Sequence, residues 1–149
     1  MGSSGSKQNQ KKPEIKVKED NKNNILDLSH QILGNEGIQK LKLINYNIVE
    51  LNLYDNSISD IKVLEIVKFN KLEILNLGNN NISNNINILE NVDFKELKEL
   101  NLYDNNISDI KVLEKVKFNK LEILNLGNNK ISNISSIIST LKFKDTIVY

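Results

Sequence analysis

The sequence predicts an α/β solenoid, in which short parallel strands stack on one side and short helical segments stack on the other. The first observation is a duplication, because residues 51–84 and 100–133 are the same 34-residue segment at an offset of 49. The copies differ at three positions only: Ser57/Asn106, Ile66/Lys115 and Asn81/Lys130. The second observation is a shorter period of 24 or 25 residues between L-x-L pairs. Repetition at this length indicates stacked units that share one apolar interior.

Each unit begins with an L-x-L pair, which has the period of two expected for a strand with one buried face. The pairs are Leu26/Leu28, Leu51/Leu53, Leu75/Leu77, Leu100/Leu102 and Leu124/Leu126. The apolar spacing then becomes helical, as at Ile61, Leu64 and Val67, and again 49 residues later. The sequence therefore predicts a strand, a turn, a short helix or 3-10 segment, and a return loop in each unit.

Two further columns recur with the strands. Phenylalanines precede the last three of the L-x-L pairs and the C-terminal segment at Phe69, Phe94, Phe118 and Phe143, where they are expected to fill the space between the two layers. Asparagines follow the last four of these pairs at Asn56, Asn80, Asn105 and Asn129, whereas the first rung has Gln31 at this position. An amide both donates and accepts hydrogen bonds, so this asparagine ladder is expected to satisfy backbone groups at the turns.

The motif L-x-x-L-x-L-x-x-N-x-I is complete in three units, Leu72 to Ile82, Leu97 to Ile107 and Leu121 to Ile131. In these residues the chain resembles the leucine-rich repeat family, of the intracellular type with 24/25-residue repeats. The resemblance implies a curved parallel sheet on the concave side and short helices or 3-10 turns on the convex side. It gives a repeat domain over residues 25–149, with about five repeats and a short C-terminal capping strand at Thr146 to Tyr149.

Because the leucines point inward, the residues beside them are expected to point outward from the concave sheet. The candidate partner-binding residues are Glu50, Asn52, Tyr54, Asn76, Glu99, Asn101, Tyr103 and Asn125. Tyr54 and Tyr103 are the expected anchors, each beside a glycine rung that leaves room for an inserted side chain. Glu50 and Glu99 favour a basic partner. The competing interpretation is that duplication copied Tyr and Glu without any role in binding.

Composition excludes several functions. Twenty lysines, no arginine and 19 acidic residues give a net charge of +1, so nucleic-acid binding is not expected. There is no cysteine and one histidine, His30, so the chain lacks a nucleophile beside a base and is predicted not to be an enzyme. No metal or cofactor pattern occurs, and no apolar run is long enough to span a membrane. The expectation is a cytoplasmic monomer.

The N-terminus carries a second signal. The sequence MGSSGS matches the pattern for N-myristoylation, with Gly2 as the acylated residue. Residues 1–24 are expected to form a disordered basic tail, and residues 1–18 would bind an anionic membrane surface at the inner face of a membrane. The competing interpretation is that MGSSGS is an expression-vector leader.

Three functional hypotheses follow. The first is an adaptor that binds a protein partner on its concave face, with membrane tethering by Gly2. The second, implied by the family resemblance, is a regulatory subunit of an enzyme such as a protein serine/threonine phosphatase. The third is a structural role in which the repeats space or cap a larger assembly.

Overall fold

The computed structural model describes residues 18–20, 24–44, 47–132, 134–135, 139 and 147–148. Within them, seven strands form one sheet in chain order. The strands are β1 (Lys18–Asp20), β2 (Ile25–Asp27), β3 (Glu50–Asn52), β4 (Ile74–Asn76), β5 (Glu99–Asn101), β6 (Ile123–Asn125) and β7 (Ile147–Val148). Strands β2 to β7 are parallel. Since each parallel neighbour is the next strand in the chain, the backbone must return through a second layer after every strand.

Short helical segments form this second layer. Helix α1 (Gly34–Ile38) is followed by the 3-10 segments Gln39–Leu43, Lys62–Glu65, Ser83–Glu90 and Lys111–Glu114. Ile61 and Leu64 bury their side chains towards the sheet, and Val67 packs against the same core. The prediction of an α/β leucine-rich-repeat solenoid is confirmed. No helix in the described part of the chain has the length and apolar character needed to cross a bilayer.

The core is a continuous apolar layer between the sheet and the helical segments. Both leucines of every L-x-L pair are at most 2% exposed. Phe69, Phe94 and Phe118 are equally buried, so the phenylalanine column is confirmed for these three residues. Phe143 lies outside the described residues. Every rung contributes to one shared interior, which is why no single rung is a folding unit.

The N-terminal edge of the sheet contains a strand that the sequence did not indicate. Strand β1 pairs antiparallel with β2 and places Lys18 opposite Asp27. It lies within the segment expected to be a disordered tail, and the structure therefore differs from the expectation at residues 18–20. The physical reason is that β2 has an open edge, and pairing satisfies its backbone groups.

The C-terminal edge has the expected strand in a different register. Ile147 lies opposite Leu124 and Val148 opposite Asn125. The six-residue spacing from Phe118 to Leu124, applied to Phe143, predicts Tyr149 at the position of Leu124, and this prediction is wrong by two residues. A shift of two keeps the alternation of faces, and the preceding residues contain no L-x-L pair that would fix the register. Thr146 and Tyr149 lie outside the described residues.

Candidate functional site

The concave face carries three columns of side chains that the sheet register aligns. The first column is Ile25, Glu50, Ile74, Glu99 and Ile123; the second is Asp27, Asn52, Asn76, Asn101 and Asn125; the third is Ser29, Tyr54, Gly78, Tyr103 and Gly127. Leu53 and Leu102 are fully buried, whereas Tyr103 is 39% exposed. The register deduced from the leucines is therefore confirmed.

The asparagines of the second column close turns in their own backbone. The side-chain Oδ1 of Asn52 accepts a hydrogen bond from the Tyr54 N–H at 3.1 Å, and that of Asn101 accepts from the Tyr103 N–H at 2.9 Å. Asn76 and Asn125 bind the N–H groups of the following glycines in the same way. This column orients the third column, because each amide oxygen fixes the residue two positions later.

The amide nitrogens of the same column remain available. Among the described residues, the Nδ2 groups of Asn52, Asn76, Asn101 and Asn125 have no hydrogen-bond partner and are not buried. Each of these side chains can therefore still donate a hydrogen bond through Nδ2, and the role of the asparagines in partner binding stays a prediction.

The asparagine ladder lies behind the face and connects the rungs. Asn56 donates through Nδ2 to the carbonyl oxygen of Leu28 at 2.8 Å and accepts the N–H of Leu33 through Oδ1. Asn80 serves the next rung in the same way, since its Oδ1 accepts the N–H groups of Asn56 and Ile58. Both asparagines are buried, where water cannot reach the backbone. Their side chains therefore provide hydrogen-bond partners for backbone groups that would otherwise be unpaired. The expected structural role is confirmed.

The space beside the glycine rungs is occupied by the tyrosines themselves. A β carbon added to Gly78 would lie 3.0 Å from Cδ2 of Tyr54, and one added to Gly127 would lie 3.1 Å from Cδ2 of Tyr103. The expectation that glycine leaves room for a partner side chain is therefore wrong. The ring packs on the adjacent rung because apolar contact with the bare backbone removes part of its surface from water.

The two tyrosines differ in their surroundings. His30 packs edge-on against Tyr54, with ring centroids 5.3 Å apart, and its Nδ1 lies 2.7 Å from Oδ2 of Asp55. Tyr103 has Asn79 at the equivalent position of the preceding rung and is more exposed. Tyr103 therefore presents more of its side chain to solvent than Tyr54 does.

A depression of about 230 Å³ lies on the concave side of β4, β5 and β6. Its lining residues are Ile74, Leu75, Asn76, Glu99, Leu100, Asn101, Ile123 and Asn125. Ile74 and Ile123 flank Glu99, and Ile123 is 39% exposed. These isoleucines were not among the candidate residues, although their exposure follows from the same alternation that selected Glu99.

The charge of the face is negative at the first column. Glu50 and Glu99 have no ion-pair or hydrogen-bond partner among the residues that the structure describes. Lys98 instead contacts Glu73, with 2.7 Å between Nζ and Oε2. That hydrogen bond raises the pKa of Lys98, the charges of Glu73 and Glu122 add to the rise, and desolvation opposes it. The carboxylates of Glu50 and Glu99 therefore leave unpaired negative charge on this face.

The grouping of side chains in the described part of the chain bears on metal binding. No group of three or more His, Asp or Glu side chains is arranged to hold a metal ion there. His30 and Asp55 are a solvent-exposed pair. Gly2 and the basic residues up to position 17 lie outside the described residues, so their predicted roles stay predictions.

Comparison with known proteins agrees with this geometry. Residues 95–139 match the family model "Leucine Rich repeats (2 copies)". The structure resembles internalin C2 from Listeria monocytogenes with a TM-score of 0.63 and 27% identity, covering 83% of this chain and 50% of that one. It also resembles an internalin (inlF) from the same species, with a TM-score of 0.50, 23% identity, and coverage of 83% and 38%.

The chain spans 50% of the length of the internalin C2 structure and 38% of the length of the inlF structure. No curated protein matches it significantly. The internalin with 23% identity shows the fold alone. The repeat motif, the parallel sheet and these likenesses together show that the chain is a leucine-rich-repeat solenoid.

Proposed function

We propose that this chain is a protein-binding module whose concave face holds a partner with basic side chains. Leucine-rich repeats generally mediate protein–protein interactions. The observation that carries the proposal is the depression in which Ile74 and Ile123 flank the unpaired carboxylate of Glu99. Apolar side chains around a carboxylate suit a lysine or arginine, whose stem is apolar and whose end is charged.

Neighbouring residues extend this surface. Tyr103 presents a half-exposed ring, and the Nδ2 groups of Asn101 and Asn125 point hydrogen-bond donors at the same region. Tyrosine is enriched at binding hot spots because it buries a large area with few rotatable bonds. Tyr54 and Glu50 repeat the arrangement two rungs earlier.

Site-specific cross-linking tests this proposal. A photoreactive phenylalanine analogue replaces Tyr103 on the concave face in one variant and Lys111 on the convex side in a control, and both are expressed in the native cell. The expected result is a specific cross-linked protein from position 103 only. A partner that cross-links from position 111 and not from position 103 would place binding on the convex side and contradict the proposal.

Charge reversal then tests the role of the carboxylates. Glu50→Lys with Glu99→Lys is expected to abolish binding of the cross-linked partner, because the new lysines would repel the basic side chains that the glutamates are proposed to attract. The matched control is Glu65→Lys with Glu114→Lys, since these residues are also 49 positions apart and lie in the 3-10 segments on the convex side. Equal loss in both double variants would show a nonspecific charge effect.

Regulation of an enzyme remains the alternative use of the same face. A regulatory subunit of a protein serine/threonine phosphatase would bind the enzyme through the concave columns and change its activity. Purified complex assayed for phosphate release, with and without the repeat protein, separates a regulator from a passive adaptor. Unchanged activity in a stable complex would leave the adaptor role.

Membrane tethering is a separate proposal that rests on the sequence alone. Gly2 in the sequence MGSSGS supports N-myristoylation, and the lysines within residues 1–18 support binding to the anionic inner face of a membrane. Mass spectrometry of the N-terminal peptide from the native cell is expected to show an added C14 acyl group. An unmodified Gly2, with the protein in the cytosolic fraction, would contradict tethering.

A further inference from the structure

The concave face repeats every second rung, not every rung. Glu50 and Glu99 alternate with Ile74 in the first column, and Tyr54 and Tyr103 alternate with glycine in the third. Neighbouring strands lie about 4.8 Å apart, so equivalent side chains recur at about 9.6 Å along the solenoid. A ligand that uses both copies at once needs a repeat near that length.

A polyproline II segment has this repeat. It has three residues per turn and rises about 3.1 Å per residue, so every third side chain returns to one side after about 9.3 Å. The α-helical pitch of about 5.4 Å and the two-residue repeat of a strand, about 6.8 Å, do not match. On a concave face the side chains lie slightly closer together than the strands that carry them. Their spacing is therefore a little less than the two-strand distance, which brings it nearer to the length of a polyproline II turn.

The hydrogen-bonding groups of the face also fit this conformation. The asparagine Oδ1 atoms are used within the chain, as at Asn76 and Asn101, so on strands β3 to β6 the second column presents only Nδ2 donors. A polyproline II backbone makes no internal hydrogen bonds, and its carbonyl oxygens need donors. Proline contributes no N–H, so a proline-rich segment brings no donor that the face would leave unsatisfied.

The outer columns supply the charge and the apolar contacts. The carboxylates of Glu50 and Glu99 have no cation partner among the described residues, and Ile74 lies between them. The rings of Tyr54 and Tyr103 line the other side. Aromatic-lined grooves are the usual docking surface for proline-rich segments, because the ligand is already extended and loses little entropy on binding.

We infer that the concave face binds a polyproline II segment that carries a basic side chain at every third residue. The segment lies along the solenoid axis, one turn spans two rungs, and successive cations contact Glu50 and Glu99. This inference rests on the proposed function and specifies the partner segment. Because of the 49-residue duplication, the proposed binding site repeats once for every two rungs of the solenoid.

Two synthetic peptides of equal composition test it. Ac-PPRPPRPP-NH2 places the arginines three residues apart, and Ac-PPRRPPPP-NH2 places them side by side. Binding to the full chain is measured by isothermal titration at low salt. The spaced peptide is expected to bind roughly fivefold more tightly, since only it pairs both carboxylates at once and one exposed pair changes affinity by up to about that factor.

Isosteric variants then locate the effect. Glu50→Gln and Glu99→Gln are each expected to weaken the spaced peptide by up to about fivefold and to remove its advantage. Glu65→Gln with Glu114→Gln is the control and should leave binding unchanged. The melting temperature of every variant is measured first, so that a loss of binding is not a loss of fold.

Equal affinity for the two peptides, no binding of either, or a spacing preference that survives in Glu50→Gln with Glu99→Gln would overturn the inference. These results leave the proposed function standing if the cross-linked partner still maps to position 103. Cross-links confined to position 111 would instead remove the proposed function and this inference together. The two failures are therefore distinguishable.

Discussion

The ring of Tyr54 lies against the backbone of Gly78 on the next rung, so closely that a glycine β carbon would come within 3.0 Å of Cδ2. The same relationship links Tyr103 and Gly127. The alternation of tyrosine and glycine along the third column is therefore a packing relationship between neighbouring rungs. It holds both rings in position at the edge of the proposed docking surface.

Gly78→Ala is expected to destabilise the chain by about 1 kcal/mol, because the added methyl group forces the Tyr54 ring to move. Urea unfolding measures the change. Tyr54→Ala removes the nearest obstructing group, so the alanine at position 78 should cost less in that background, where Nδ2 of Asn101 at 3.2 Å and Oδ1 of Asn76 at 3.3 Å still restrict it. Equal costs in both backgrounds would show that the ring does not restrict this position.

Asn80→Ala is expected to cost about 3 kcal/mol, since the amide makes five hydrogen bonds to the backbone and its loss leaves buried groups unsatisfied. Chemical denaturation is the measurement. Asn70→Ala is the control, because Asn70 is exposed in a turn. A cost for Asn80→Ala as small as that of the control would mean that water replaces the amide.

Ile32→Asn is expected to stabilise the chain by about 1 kcal/mol. Ile32 has a φ of 51°, a left-handed backbone conformation that is unfavourable for a β-branched residue. Its side chain is 79% exposed, so burial of apolar surface does little to offset this strain. The equivalent residue three repeats further on, Asn106, has a φ of 55° and tolerates that conformation. Thermal unfolding checks the prediction, and a lower melting temperature would contradict it.

Phe94→Ala is expected to cost about 3–5 kcal/mol, because the side chain is 1% exposed and fills the space between the two layers. Ile66→Lys is the matched surface change, since the duplicated copy already has Lys115 there and Ile66 is 61% exposed. That variant should stay within about 0.5 kcal/mol of the original chain. Differential scanning calorimetry of both variants tests the contrast.

Lys98→Met is expected to lower the melting temperature at pH values near 8 but not at strongly alkaline pH. The hydrogen bond to Glu73 raises the pKa of Lys98 above 10.5, so the charged form is favoured by folding. Its contribution is complete below the unfolded pKa and is lost as the pH rises through the folded pKa. Lys68→Met, at an exposed position, should show no such pH dependence. A constant effect of Lys98→Met across this range would contradict the coupling.

Much of the fold could be predicted from sequence because the L-x-L pair recurs five times at intervals of 24 or 25 residues. The spacing of the L-x-L pairs fixes which residues are inward, and the burial of Leu53 and Leu102 agrees. The asparagine ladder was equally predictable, since an amide at a turn has few other uses. The first inference depends on periodicity, and the second adds the chemistry of the amide and the resemblance to leucine-rich repeats.

The remaining features depend on contacts that periodicity does not encode. The position of the Tyr54 ring over Gly78 depends on the rotamer of the tyrosine. The sequence therefore showed that tyrosine and glycine alternate along the third column, but not that the ring packs on the glycine. The register of β7 could not be counted where the leucine pattern ends, and β1 pairs with an edge that only the assembled sheet presents. The alternation of faces places Ile74 and Ile123 beside Glu99, but the depression that they form with it depends on side-chain packing across three strands.

The asparagine ladder gives the solenoid a polarity. Each asparagine accepts N–H groups of the preceding rung, as Asn129 does for Asn105 and Ile107. Cutting the array on its C-terminal side would strip acceptors from the last rung that is kept, whereas cutting on the N-terminal side would strip none of these acceptors. Shortened or fused arrays built from these units therefore need a substitute acceptor at one terminus only, and units are best added or removed from the opposite one.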